Sequence, residues 1–206
     1  LAASLLFAYV LSKKDRMLHG FFTFTAVFTM YFNGGMVPTY LIVKNVGLLD
    51  SVWSLIIPGL ISTYYVIILR TALTGVPKEM IESAELDGAN EMVTLVRILL
   101  PLILPTIAAI SLFIVVGYWN SWTNALLYIQ DNKKMPLQMV LRQIVVNNDV
   151  SAAAGTGASN RSGEDQATRM LLKYATIMVS VIPIICVYPF LQKYFTKGVM
   201  VGALKG

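Results

Sequence analysis

The side chains that most often perform covalent chemistry or hold metals are scarce in this sequence of 206 residues. A single cysteine, Cys186, excludes an internal disulfide and a thiolate cluster, and a single histidine, His19, excludes paired-histidine metal sites. The phosphate-binding pattern G-x-x-x-x-G-K-[ST] is also absent. The sequence therefore predicts no catalytic residue, no metal site and no cofactor bound by the chain itself.

A short helix is predicted inside the polar segment Arg70–Arg97, which holds five acids and three bases. Pro77 suits the first turn of a helix, Glu79 and Glu82 complement its positive N-terminal end, and Gly88 suits a left-handed C-terminal cap. Such a helix would have about ten residues and be roughly 15 Å long. A short rigid helix of this kind transmits a rigid-body motion better than a flexible loop does.

The elements around this helix are predicted to cross a membrane. The chain is 56% hydrophobic and 13% charged, whereas soluble domains carry about 25% charged residues. A spanning helix needs roughly 20 apolar residues, and β-barrel strands would alternate with a period of two, which these runs do not. The expected fold is all-α, a single polytopic transmembrane helical bundle over residues 1–206.

The uncharged runs predict four complete spans and one partial span, with bends where glycine and proline interrupt them. The partial span is about 1–11, and the complete ones are about 20–32, 52–69, 104–129 and 174–192. Segment 70–101 forms a central loop and 130–173 a long second one. Pro101 and Pro105 are expected to bend the entry of the span that follows them.

The distribution of charge indicates orientation and the energy source. Lysines and arginines favour a cytoplasmic position for the first loop, the central loop and the C-terminal tail, so the net charge of +5 is no sign of nucleic-acid binding. None of the four complete runs contains Asp, Glu, Lys, Arg or His. Ion-driven transporters and intramembrane proteases need such groups. If a chain without such groups moves a solute uphill, it must couple to a partner that supplies the energy.

The central loop resembles the EAA motif of permease subunits of ABC importers, E-[AS]-A-x-x-x-G-x9-I-x-L-P. The matching residues are Glu82, Ser83, Ala84, Gly88, Ile98, Leu100 and Pro101. The resemblance implies a type I permease fold with six spans, of which about five are visible because the N-terminus is missing. It also implies that the helix docks on an ATP-binding subunit. The coupling residues are then Glu79, Glu82, Ser83, Ala84, Asp87, Gly88 and Pro101.

Further stretches are similar to the carbohydrate branch of this family, the maltose-type and especially the polysaccharide-type permeases. They include 36–40, 77–88, 117–122, 136–138 and the ending 192–206. The implied assembly contains a second permease subunit, two ATP-binding subunits that hold ATP and Mg, and an extracytoplasmic solute-binding protein. The implied location is the inner membrane of a bacterium. In close relatives a C-terminal tail reaches the ATPase subunits, which makes Lys205 and Gly206 candidate contacts.

An unusual group of aromatic and amide side chains lies in the run before residue 129. Aromatic faces pack on the C–H surfaces of sugars, and amides bond their hydroxyls. The candidate substrate-pathway residues are Tyr118, Trp119, Asn120, Trp122 and Asn124, with Tyr118 and Trp122 expected on one face of a continuous helix. An aromatic belt at the membrane interface is the alternative interpretation.

Two rival functions remain open at the level of sequence. One is an ABC permease for another solute, such as glycerol phosphate, which would require cationic groups in the pathway. The other is a membrane channel or scaffold that works without an ATPase.

Overall fold

The computed structural model describes residues 1–13, 19–153 and 163–203. Part of the basic cluster after the first helix, with Lys14 and Arg16, and the tail residues Lys205 and Gly206 lie outside these ranges. The described residues form helices and their connections, with no strand among them. The helices are α1 (Ala2–Ser12), α2 (His19–Tyr31), α3 (Met36–Asn45), α4 (Trp53–Gly59), α5 (Thr63–Thr74), α6 (Lys78–Leu86), α7 (Glu91–Leu102), α8 (Leu104–Trp119), α9 (Trp122–Tyr128), α10 (Leu137–Ala153) and α11 (Gly163–Ala203).

The buried core forms where α1 packs along α5, with α2, α7 and α8 against them. Leu11, Val66, Leu69, Leu99 and Ile110 are almost fully buried there. Large aliphatic side chains without polar atoms can fill such a core at native density. These five helices therefore form the rigid frame that carries the connections at both ends.

Two of the four complete predicted spans, 52–69 and 104–129, are broken rather than straight. Within the described residues, one helix is long and apolar enough to cross a membrane, at Met170–Val187, and up to four spans result if each bent helix pair counts as one. The bends are 113° between α2 and α3, 51° between α4 and α5, and 82° between α7 and α8.

Glycine and proline account for these bends. Gly35 adopts a φ of 89° at the N-terminal cap of α3. Residues that carry a Cβ rarely adopt this conformation. Pro58 lies in the last turn of α4, and Pro101 and Pro105 flank the break at Ile103. Proline removes a backbone donor and ends or bends a helix. The bend expected at Pro101 and Pro105 is confirmed.

The observed helices differ from three of the expected boundaries. The run 52–69 is divided at residues 60–62, and the run 104–129 is divided at Asn120 and Ser121. The long connection 130–173 also contains α10 and the beginning of α11. Uncharged composition marks a stretch that can lie in a membrane, but it does not show where the helix inside it stops.

Candidate functional site

Helix α6 is closed at its C-terminus by hydrogen bonds between backbone groups. Ala89 donates its N–H to the carbonyl of Ala84 at 2.9 Å, and Gly88 donates to Glu85 at 3.0 Å. This pair of bonds is a Schellman motif, in which the residue directly after the C-terminal cap adopts the left-handed conformation. Gly88 fills that position with a φ of 82°. The short helix and the glycine cap expected from the sequence are both confirmed.

One side of α6 packs on the protein and the other faces outward. Ala84 is 6% exposed, and α6 contacts the middle of α7, at Thr94–Leu99. Glu79, Ser83 and Leu86 follow one another at helical spacing on the outward side, and all three are exposed. Leu86 is 89% exposed, an unusual position for a large apolar side chain next to acidic neighbours. Sequence reasoning missed Leu86, although its place on the face opposite Ala84 could have indicated it.

The other residues of the predicted coupling site are spread around this helix. Glu82 lines a cleft of about 390 Å³ between α6, α1, α5 and α7, together with Ile81 and Glu85. Asp87 is exposed at the C-terminal cap. Pro101 lies outside α6, in the last turn of α7 before the 82° bend. The structure therefore brings six of the seven residues together on and after α6 and places Pro101 at a bend.

A second cavity, of about 610 Å³, lies at the break between α4 and α5. Its lining mixes apolar side chains with hydroxyl and amide groups, and none of its lining residues within the described part of the chain is charged. The lining residues are Leu1, Ser4, Leu55, Ile56, Gly59, Leu60, Ser62, Tyr65, Phe113, Ile114, Gly117, Tyr118, Ser121 and Asn124. Such a surface can bind a neutral, hydroxyl-rich molecule by hydrogen bonds and apolar contact.

Two of the five predicted pathway residues, Tyr118 and Asn124, line this cavity. The Tyr118 hydroxyl lies 3.3 Å from the carbonyl oxygen of Gly59 and 3.4 Å from that of Ile56. Tyr65 also lines the cavity and packs edge to face against Tyr64. Aromatic rings and hydroxyls therefore lie on one surface beside the broken span.

The other three predicted pathway residues do not line this cavity. The Trp119 indole Nε1 donates to the carbonyl of Ser180 on α11 at 3.1 Å, and Asn120 donates to its own helix at the Val116 carbonyl. Trp122 stacks beneath the guanidinium of Arg142, whose Cζ lies 3.2 Å from the ring centroid.

The prediction that Tyr118 and Trp122 share one face of a continuous helix is wrong. Helix α8 ends at Trp119, and a turn joins the N–H of Trp122 to the carbonyl of Asn120 at 2.9 Å. Because the helix does not continue through Asn120 and Ser121, the rotation of 100° per residue does not carry across. The two aromatic side chains therefore belong to separate helices and have different neighbours.

A polar cluster that the sequence did not reveal ties two connections together. Asp50, between α3 and α4, accepts the N–H groups of Gln130 and Asp131 on its Oδ1 at 3.0 and 2.9 Å. The Lys134 ammonium lies 2.9 Å from Asp50 Oδ2 and 2.7 Å from the Asp50 carbonyl oxygen. We call these four residues the Asp50 clasp. Asp50 has a φ of 55°, a strained conformation for a residue with a side chain.

The clasp changes the ionisation of its members. Hydrogen bonds from the Asp131 backbone, the Lys134 side chain and the Gln130 backbone lower the pKa of Asp50 from its ordinary 3.8 to about 2. The hydrogen bond from Lys134 to Asp50 raises the pKa of Lys134 above its ordinary value of 10.5. Both groups are therefore charged at neutral pH, which is the state that the clasp requires.

A chain of broken spans, a capped helix in a polar connection and an uncharged cavity are the features of a membrane permease subunit. The family model that describes the binding-protein-dependent transport system inner membrane component matches residues 1–201. The chain belongs to this family and is a membrane-embedded component of an ABC transporter.

Two proteins of Bacillus subtilis (strain 168) show the similarity over nearly the whole chain. The polygalacturonan/rhamnogalacturonan transport system permease protein YtcP is 44% identical over 98% of this chain and 70% of its own length. Protein LplC is 44% identical over 97% of this chain and 66% of its own length. The chain thus spans about two thirds of the length of these relatives.

A solved structure gives the same fold. A chain in the crystal structure of a bacterial ABC transporter involved in the import of the acidic polysaccharide alginate matches with a TM-score of 0.80 at 30% identity. The match covers 95% of this chain and 70% of that one. The all-α permease fold expected from the sequence is confirmed.

Proposed function

We propose that the chain is one of two permease subunits of an ATP-driven, binding-protein-dependent importer of oligo- or polysaccharides in the inner membrane of a bacterium. The observation that carries this proposal is the exposed, rigidly capped helix α6, which presents the EAA residues in the connection between two predicted spans. The family membership supports the same function and disfavours a channel or scaffold without an ATPase.

The outward face of α6 is the proposed contact with an ATP-binding subunit. Leu86 is the apolar anchor on this face, and Glu79 and Ser83 lie beside it. A buried apolar anchor within a polar rim is the arrangement that contributes most to binding at interfaces. ATP and Mg would be held by the partner, and the second permease subunit would complete the translocation pathway.

The uncharged cavity beside Tyr118 is the proposed passage for the solute. A phosphorylated solute would need cationic partners, and none of the residues that line this cavity in the described structure supplies one. Hydroxyl, amide and aromatic groups suit a saccharide instead. The names of two similar proteins, which refer to polygalacturonan and to alginate, support a polysaccharide substrate. The second permease subunit would then supply the positive charge that the carboxylates of an acidic polysaccharide need.

The solute would reach this cavity from the side that holds the Asp50 clasp, where the charge distribution predicts the extracytoplasmic face. A solute-binding protein would deliver the saccharide there. Binding of ATP and of the loaded binding protein must then favour the outward-facing state over the inward-facing one, because only differential binding shifts such an equilibrium.

Co-purification of the ATP-binding subunit tests the proposal. The chain is expressed with its partner subunits, and the variants Leu86→Asp and Gly88→Asp are compared with the unsubstituted protein. We expect at least a tenfold lower yield of the ATP-binding subunit with either variant, because an unpaired carboxylate is costly to bury. Asn132→Asp, which adds the same charge at the other end of the molecule, is the matched control.

The proposal makes two results unacceptable. Failure of any ATP-binding subunit to purify with the unsubstituted chain would contradict it. Wild-type yields from both α6 variants would show that this helix is not the contact.

A further inference from the structure

The break between α4 and α5 leaves carbonyl oxygens without backbone partners. In the described structure, no backbone N–H bonds to the carbonyls of Gly59, Leu60 or Ile61, and the regular pattern resumes where Val66 donates to Ser62 at 3.0 Å. An unpaired carbonyl is costly in hydrocarbon but tolerated where it lines a water-filled cavity. Gly59 and Leu60 line the 610 Å³ cavity, so the break supplies acceptors to that cavity.

The Tyr118 hydroxyl reaches only one of these unpaired acceptors, the Gly59 carbonyl, and bonds to it weakly. It lies 3.3 Å from the Gly59 oxygen and 3.4 Å from the Ile56 oxygen, whereas O–H···O bonds are usually about 2.7–2.8 Å long. A hydroxyl carries one hydrogen, so Tyr118 donates fully to one carbonyl at a time. A ligand hydroxyl that approaches more closely can therefore replace it.

The absence of a side chain at Gly59 makes this arrangement possible. A Cβ at this position would lie 3.3 Å from the Tyr118 hydroxyl oxygen, which is tighter than an ordinary contact. Ser62, Ser121 and Asn124 line the same cavity and offer further donors and acceptors to a bound molecule.

We propose that the unpaired carbonyl of Gly59, together with the Tyr118 hydroxyl, forms a site that recognises the hydroxyl groups of the saccharide during its passage. A sugar hydroxyl donates to the Gly59 carbonyl, and the released Tyr118 hydroxyl bonds to a neighbouring sugar oxygen. Carbonyl dipoles disfavour a carboxylate at this point, so an acidic saccharide passes with its hydroxyl edge toward the break. This inference rests on the proposed function and adds the contact that selects for hydroxyls.

Import into proteoliposomes by the complete transporter with its binding protein tests the inference. The probe is trigalacturonate, a fragment of the polygalacturonan named for a relative. We expect Tyr118→Phe to lower the maximal import rate about fivefold, the effect of losing one neutral hydrogen bond. The half-saturation concentration should stay within about twofold, because the binding protein sets it. Gly59→Ala should also lower the rate, while Tyr64→Phe, a hydroxyl outside the cavity lining, is the matched control.

The outcomes separate the two levels of the proposal. If the unsubstituted transporter imports trigalacturonate and Tyr118→Phe does so at the same rate, the recognition site is contradicted and the proposed function stands. An equal loss in Tyr64→Phe also overturns the recognition site. If the unsubstituted transporter imports none of trigalacturonate, arabinotriose and raffinose, the proposed saccharide function is contradicted and the site falls with it.

Discussion

Helix α6 and the Asp50 clasp are held in place in opposite ways. Backbone groups close α6, through the bonds from Gly88 and Ala89, and its outward side chains contribute little to that closure. The clasp depends on the carboxylate and carbonyl of one residue, which gather two backbone N–H groups and one ammonium. Side-chain substitutions should therefore be tolerated structurally on most of α6, whereas the clasp should fail when Asp50 alone is changed.

The largest effect is expected from Asp50→Ala. This substitution removes the acceptor of Gln130 and Asp131 and leaves the Lys134 ammonium with the backbone carbonyl only. We expect hydrogen exchange at the amides of Gln130 and Asp131 to become about a hundredfold faster, because two hydrogen bonds to a carboxylate are lost together. Asp131→Ala changes a neighbouring acid whose side chain bonds to Lys133. Similar exchange in both variants would contradict the central role of Asp50.

A smaller effect is expected from Gly88→Ala on α6. A residue with a Cβ at a φ of 82° costs about 1–2 kcal/mol, which should loosen the last turn. Hydrogen exchange at Asp87 and Ala89 should rise about five- to thirtyfold, and less ATP-binding subunit should co-purify.

Gly75→Ala is the matched glycine substitution for this experiment. Gly75 follows α5 with a φ of −79°, which an alanine adopts without strain. Equal changes from the two substitutions would show that the left-handed conformation of Gly88 does not control the helix end.

The pH dependence of the clasp sharpens the comparison, because no ion pair joins α6 to another residue in the part of the chain that the structure describes. Asp50 has its pKa lowered to about 2, so its contribution is complete above its ordinary value of 3.8 and is lost as the pH falls toward 2. Lys134 has a raised pKa, so its contribution is complete below 10.5 and is lost at higher pH.

Exchange at the Gln130 and Asp131 amides, corrected for intrinsic rates, should therefore stay constant from about pH 4 to pH 10 and accelerate outside that range. Asp50→Asn keeps an oxygen acceptor but removes the carboxylate, so its exchange should show no acid transition. An acid transition that persists in Asp50→Asn would assign the titration to another group.

The smallest effect is expected at Trp119, which belongs to neither region. Trp119→Phe keeps an aromatic ring against α11 but removes the bond from Nε1 to the Ser180 carbonyl. We expect a loss of about 1 kcal/mol, seen as a small decrease in the thermal midpoint. Trp53→Phe, at a side chain that is 60% exposed, serves as the reference. If Trp53→Phe lowers the thermal midpoint as much as Trp119→Phe does, the bond from Trp119 to Ser180 does not contribute specifically to stability.

Local signals explain what could be predicted from the sequence. Pro77 and Gly88 determine the ends of α6 through their own backbone preferences, and Pro101 and Pro105 bend the chain for the same reason. Each of these features depends on residues within one or two turns.

Contacts between distant residues explain what could not be predicted. Asp50 and Gln130 are 80 positions apart, and a lone aspartate in a short connection carries no signal of a partner. Pro58 did mark the end of α4, but the uncharged run around it obscured the break. The separation of Tyr118 from Trp122 depends on the turn at Asn120, which hydropathy alone does not show.

The Asp50 clasp also closes the chain into a loop. The bond from Gln130 to Asp50 joins residues that are 80 positions apart, and helices α4 to α9 all lie between them. Closure of a long loop costs conformational entropy, which the contacts of the folded chain must offset. It also ties both ends of the segment to one point, and α6 and the cavity residues Gly59 and Tyr118 lie within it. A rotation applied at α6 is therefore carried by a segment whose ends cannot drift apart.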